Sequence, residues 1–238
     1  MHPRAAFRIS FAAGLLVLVV TLFSATQAPV KPCGNLPQNY APIIAFELAR
    51  SAADLDAIFG TQDPCRAEVV QRMDAINLVD VLVYIPVYGA FMAFFFLGMR
   101  ARHASLGTLG FRIAVIAALG DFAENACLMN LTPQLDPAST WFTLLPWATG
   151  IKWLGLGAAG AIAAAIYVKS SGARVWNYLA ALLCAAAFLS TVAAIAVPAM
   201  FGPLVSLGVG LSWLVYLIAA GAASFRPVAA AAELRGAG

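Results

Sequence analysis

Gly120-Asp121-Phe122-Ala123-Glu124-Asn125 lies in the middle of an apolar segment running from about Ile113 to Leu131. A segment of that length and composition is a membrane-crossing helix. Two carboxylates and an amide therefore occupy adjacent turns of one span. Asp121 and Asn125 are four positions apart and Glu124 stands about 60° off the line joining them, so all three share a face. A carboxylate at bilayer depth costs a few kcal/mol or more unless it meets a partner, a proton or water. Such a group marks either a functional site or a polar clamp between helices.

The rest of the chain is composed in the same way. Of its 238 residues 62% are hydrophobic and 11% charged, with a mean hydropathy of +0.86. Soluble proteins average roughly 25% charged. The expected fold is all-α: a polytopic bundle of about six transmembrane helices. A net charge of +3, explained by loop positions, gives no reason to expect nucleic acid. Zinc-type Cys/His spacing, a glycine-rich phosphate loop, a nucleophile elbow and a haem-attachment motif are all missing from the sequence. No metal or cofactor is expected. His2 and His103 fall outside the spans, which excludes a paired-histidine haem in the bilayer. Heavy use of Ala, and of Arg over Lys, is the composition of a GC-rich bacterial genome, and points to an inner (plasma) membrane.

Residues 1–28 form the first segment. The apolar run Phe7 to Phe23 follows Arg4 and Arg8 and ends in small residues, Ser24 to Ala28. It is either an uncleaved signal anchor or a signal peptide; Pro29 beside the clearest cut favours the anchor. Residues 29–76 are the only long polar stretch. Within it Pro42 to Arg50 reads as a short helix. Ser51 with Asp54 starts a second one that ends at Gly60. Asp63-Pro64 reads as a third start, with Asp as cap and Pro at the first helical position, running on into the next span. These short helices either cover the mouth of the bundle or form a packed loop.

Five further spans fill residues 77–238: about Asn77 to Gly98, Ile113 to Leu131, Trp141 to Val168, Trp176 to Val197 and Leu204 to Ser224. Arg4 and Arg8, the cluster Arg100, Arg102 and Arg112, the pair Lys169 and Arg174, and finally Arg226 and Arg235 all fall on one side of a six-span chain. By the positive-inside rule both termini are cytoplasmic and 29–76 is exoplasmic. Cys33 and Cys65 then lie where disulfides persist and are expected to pair. Cys127 and Cys184 are packing residues within spans.

Counting along the helices places Asp121 about 15 Å, and Lys152 about 16 Å, from the outer ends of their spans. The two are expected to pair near the midplane. Glu124, one turn further out, would then hold a proton or hydrogen-bond to Tyr84 and water. Asp80, Tyr84 and Tyr88 share a face of the second span. With Asn125 they outline a polar column open to the exoplasmic side, and Trp147 and Trp153 are candidate aromatic walls. Glu124 and Asp121 are the candidate proton donor and acceptor; Asp80, Tyr84, Tyr88, Asn125, Trp147 and Lys152 are candidate binding residues. Pro86 frees a carbonyl one turn back and is a candidate kink.

The residues Phe46-Glu47-Leu48-Ala49-Arg50, Asp80 with Ile85-Pro86-Val87-Tyr88, Leu119-Gly120-Asp121-Phe122-Ala123-Glu124-Asn125, and Lys152 together resemble a group of small bacterial multi-pass membrane proteins. The likeness covers about residues 40 to 165 and implies no activity. More loosely, buried carboxylates and tryptophans in a compact bundle are similar to membrane isomerases of the sterol-isomerase type, from which no residue is carried over. Three functions compete. One is a site that binds, and isomerises or protonates, a small amphiphile or lipid. Another is a non-catalytic membrane assembly protein, although no signal names a protein partner. The last is a proton-coupled transporter, weakened by the lack of an inverted repeat. Membrane lipids and a small hydrophobic ligand are the expected partners.

Overall fold

The computed structural model describes residues 1–170 and 175–225; Arg174, Arg226 and Arg235 of the charge pattern lie outside them. Helix α1 (Pro3–Thr26) is followed by two short helices, α2 (Pro42–Glu47) and α3 (Ala52–Phe59). One continuous span, Cys65–Met99, is built from α4 (Cys65–Val79), a π-helical turn (Asp80–Tyr84) and α5 (Ile85–Met99). Next come α6 (Ala104–Leu131), α7 (Thr140–Lys169), α8 (Val175–Ala196) and α9 (Pro198–Ser224). Among the described residues six helices are long and apolar enough to cross a membrane, and there is no strand. The chain is a multi-pass helical bundle.

Each span packs against its neighbours in sequence, and α9 closes the ring on α1. Short links force this up-and-down order; a single residue, Val197, separates α8 from α9. Both described ends therefore lie at one end of the bundle, and residues 27–64 fold as a cap over the other.

Local signals explain most boundaries. Ser51 and Asp54 form a reciprocal capping box at the start of α3, which ends at Gly60 with φ +63. The same Asp54 carboxylate accepts from the backbone N–H of Arg50 and Ser51, both at 2.8 Å. That bond claims the amides needed to carry α2 beyond Glu47, so α2 is shorter than its pattern predicts. Helix α4 differs too. It starts at Cys65, with Pro64 at the cap position and no side-chain cap. Its first amides are met instead by backbone carbonyls of Gln62 and Pro64, which accept from Arg66 and Glu68. In the π-turn the N–H of Ile85 reaches the carbonyl of Asp80, five residues back. Pro86, with no N–H to offer Leu82, follows at once; a wider turn is one way a helix absorbs that missing donor.

The apolar interior is divided in two. A cap core joins Phe46, Ile58 and Phe59 to Met73, Leu128 and Leu145 at the upper ends of α4, α6 and α7. A bundle core holds Ile85, Phe91, Phe95, Trp153 and Tyr216. Between them lies a polar layer. The Cys33–Cys65 disulfide, Cα atoms 5.9 Å apart, ties the cap to the top of α4. Beside it the Arg66 guanidinium donates to the carbonyl of Gly60.

Candidate functional site

Lys152 is the centre of the polar layer. Its Nζ lies 3.0 Å from Asp121 Oδ1 and 3.1 Å from Glu47 Oε1, and donates to Glu124 Oε2. All four side chains are buried. Asp121 and Glu124 face α7 because Gly120 lets the helices approach; a Cβ there would stand 2.8 Å from the backbone nitrogen of Lys152. An ammonium has three N–H donors and no acceptor, and three carboxylates surround this one within 3.1 Å.

Glu47 comes from the cap, not from a span. It is 4% exposed, and its second oxygen accepts from Trp153 Nε1 at 3.0 Å. Its carbonyl accepts from Thr149 Oγ1 at 2.9 Å. Helix α2 is thus seated in the bundle through both the side chain and the backbone of one residue. Burial pushes the Glu47 carboxyl up to about 7; Lys152 pulls it down, and Asp121 and Asp80 add to the rise.

A second ring of partners fixes the carboxylates. Tyr88 donates its hydroxyl to Asp121 Oδ2 at 2.7 Å. Asn125 Nδ2 donates to the carbonyl and Oδ1 of Asp121, and to Asp80 Oδ2 at 3.1 Å. Glu124 Oε1 and Asn125 Oδ1 are buried without a hydrogen-bond partner among the described residues. Tyr84 hydrogen-bonds Thr21 of α1 at 3.3 Å.

Rungs to α1 set the level of this layer. Ser10 donates to the Phe91 carbonyl, Thr21 meets Tyr84, and Arg72 donates to the carbonyls of Ala28 and Pro29. Asp80 therefore stands opposite the upper end of α1, and the whole layer lies in the half of the bundle nearer the cap rather than at its middle.

Below and beside the layer is a cavity of about 430 Å³. Glu47, Asp80, Asp121 and Lys152 stand at its polar end. Tyr84, Tyr88 and Trp213 form an aromatic wall, with Tyr88 stacked on Trp213 at 5.2 Å. The remaining lining is mostly aliphatic. Lower down, α1 and α9 touch, Gly14 against Leu217 and Phe11 against Gly221. Towards the cap Leu18 and Thr21 of α1, and Ser206, Gly210 and Leu214 of α9, all line the cavity and are all exposed. The cavity thus reaches the flank of the bundle between those two helices.

Asp80, Tyr88, Asp121, Glu124, Asn125 and Lys152 are brought together, and Tyr84 joins them at the cavity. The expected allocation of partners changes, however. Glu124 shares Lys152 with Asp121 instead of being left over, and Tyr84 turns to α1 instead of Glu124. Glu124 lies behind the cavity and does not line it. Trp147 is apart from the site, 74% exposed on the outer face of α7. It stands five residues from Lys152, about 140° around a helix of 3.6 residues per turn. Trp153, the other expected wall residue, does line the cavity.

Glu47 and Trp213 were missed. Glu47 had a signal, a lone acid inside an otherwise apolar six-residue helix; Trp213 had none. No group of His, Cys, Asp or Glu among the described residues is arranged to hold a metal ion. The Lys152 ammonium occupies the point on which the carboxylates converge. No protein-family model matches this chain, and no curated protein or solved structure matches it.

Proposed function

We propose that this membrane protein binds a small amphiphile or lipid, with the head at the polar layer and the tail in the opening between α1 and α9. The observation that carries the reading is the cavity itself, which runs from buried charged groups to an exposed flank of the bundle. Largely apolar pockets with a few convergent polar groups are the usual form of small-molecule sites. In this arrangement the cap, on the exoplasmic side, closes the site from above through Glu47. The same residue is the group placed to exchange a proton with a bound molecule, since it lines the cavity and titrates near neutrality.

Gly210 offers a clean test. It lines the cavity, and a Cβ built there meets nothing within 4 Å. Gly210→Phe should fill the space without strain and raise helix propensity slightly. Mass spectrometry of protein purified in mild detergent should find a retained amphiphile in the wild type and little in the variant, with the melting temperature held or raised. Equal retention by both would refute the binding site.

A non-catalytic assembly role has one specific observation in its favour. Lys152 is already paired with three carboxylates of the chain, and the layer holds the cap on the bundle. If no amphiphile copurifies, and Glu47→Gln only loosens the cap, that role takes precedence.

A further inference from the structure

We infer that the head of the bound amphiphile is cationic, an ammonium seated between Asp80 and the aromatic wall of Tyr84, Tyr88 and Trp213. The inference rests on the amphiphile-binding reading above and adds the charge of the ligand. Three carboxylates line the cavity, from Glu47, Asp80 and Asp121, against one cation, Lys152. That cation is not available to an anionic head, because three carboxylates of the protein already stand within 3.1 Å of its nitrogen. An incoming phosphate or carboxylate would find the ammonium already neutralised by the protein and would face like charges.

An ammonium finds the opposite. Asp80 accepts one hydrogen bond, from Asn125 to Oδ2, and its Oδ1 takes part in none among the described residues. Asp80 is also the acid of the layer that is only half-buried, one turn above Tyr84. The three rings lie within 6.2 Å of one another, centroid to centroid, and all line the cavity. Aromatic faces attract ammonium groups through their quadrupoles, most strongly where water is excluded. A carboxylate above and rings beside it is a setting that a neutral head would leave unused.

The test uses full-length protein in maltoside micelles at neutral pH, titrated with dodecylammonium, dodecyl phosphate and dodecanol. Binding is read by tryptophan fluorescence, with Trp213→Phe removing the reporting ring. The ammonium should bind at least about tenfold more tightly than the other two, the lower end of what one charged contact to a carboxylate supplies. Asp80→Asn should lower ammonium affinity about tenfold and leave dodecanol binding unchanged. Should Asp80→Asn fail to fold, as judged by its melting curve, Tyr84→Leu makes the same comparison by removing a ring. Equal affinities for the three heads, or a preference for the phosphate, would overturn the cationic assignment and leave amphiphile binding standing. Binding of none of the three would overturn both.

Discussion

Replacing Lys152 by Met probes the polar layer directly, because methionine keeps most of the length of the side chain and removes the ammonium. Glu47, Asp121 and Glu124 all stand within 3.1 Å of that nitrogen. Without it Glu47 keeps Trp153, and Asp121 keeps Tyr88 and Asn125. Glu124 keeps nothing, since its other oxygen is already unpartnered. Removing one member of a buried ion pair costs about 3–5 kcal/mol. That penalty has a ceiling, because a stranded carboxylate can take up a proton. For a carboxyl that titrates near 4 in water, neutralisation costs about 4 kcal/mol at pH 7 and about 1.4 kcal/mol at pH 5.

Lys152→Met should therefore lose ~3–4 kcal/mol near pH 7 and recover ~1.5–2.5 kcal/mol of that, relative to wild type, near pH 5. Reversible unfolding in mixed micelles, followed by far-ultraviolet circular dichroism at the two pH values, measures the difference. Glu124→Gln in the Lys152→Met background should restore part of the loss, since it removes the carboxylate left without a partner. A penalty that is the same at both pH values would refute the reasoning. So would a double variant no better than the sum of its singles.

Glu47 makes stability depend on pH with a definite sign. Its carboxyl titrates at about 7 in the fold against an ordinary 4.5, so between those values the folded state alone holds the proton. Its contribution, on the order of 3 kcal/mol, is fully present below the lower value and is lost as pH rises through the upper one; Glu47→Gln should flatten that slope in a melting series. The Cys33–Cys65 bridge closes a separation of 32 residues, and Cys33→Ser should cost about 3–4 kcal/mol on the chain-entropy argument. Equal melting temperatures with and without reductant would refute that. Single cysteines at Ser105, in the first turn of α6, and at Gln134, just beyond its other end, should label from opposite faces of the membrane, Ser105 from the cytoplasm. Labelling of both from one face would overturn the proposed orientation.

What the sequence determined by itself was everything set by local chemistry. Hydropathy over a helix length marked six spans, because backbone polar groups in lipid must be satisfied within the segment and apolar side chains must cover it. Ser51 with Asp54 marked the start of α3. Asp121 and Asn125, one turn apart, were legible as a pair because helical period alone places them together. Even the misplacement of Trp147 was a matter of period, since counting around α7 from Lys152 turns it outward.

Only the tertiary structure decided which groups meet across the layer. Lys152 takes Glu47 from 105 positions earlier in the chain and Glu124 from 28 earlier. Depth counted along single helices could match Lys152 to Asp121, but it left out the cap, whose helix α2 descends until Glu47 reaches the same nitrogen. Trp213 reaches Tyr88 because α9 closes the ring on α1 and leans across to α5. Helix rotation, tilt and the seating of a loop follow from how whole surfaces pack, with glycines such as Gly120 setting the approach. Those quantities belong to pairs of elements, and no single stretch of sequence carries them.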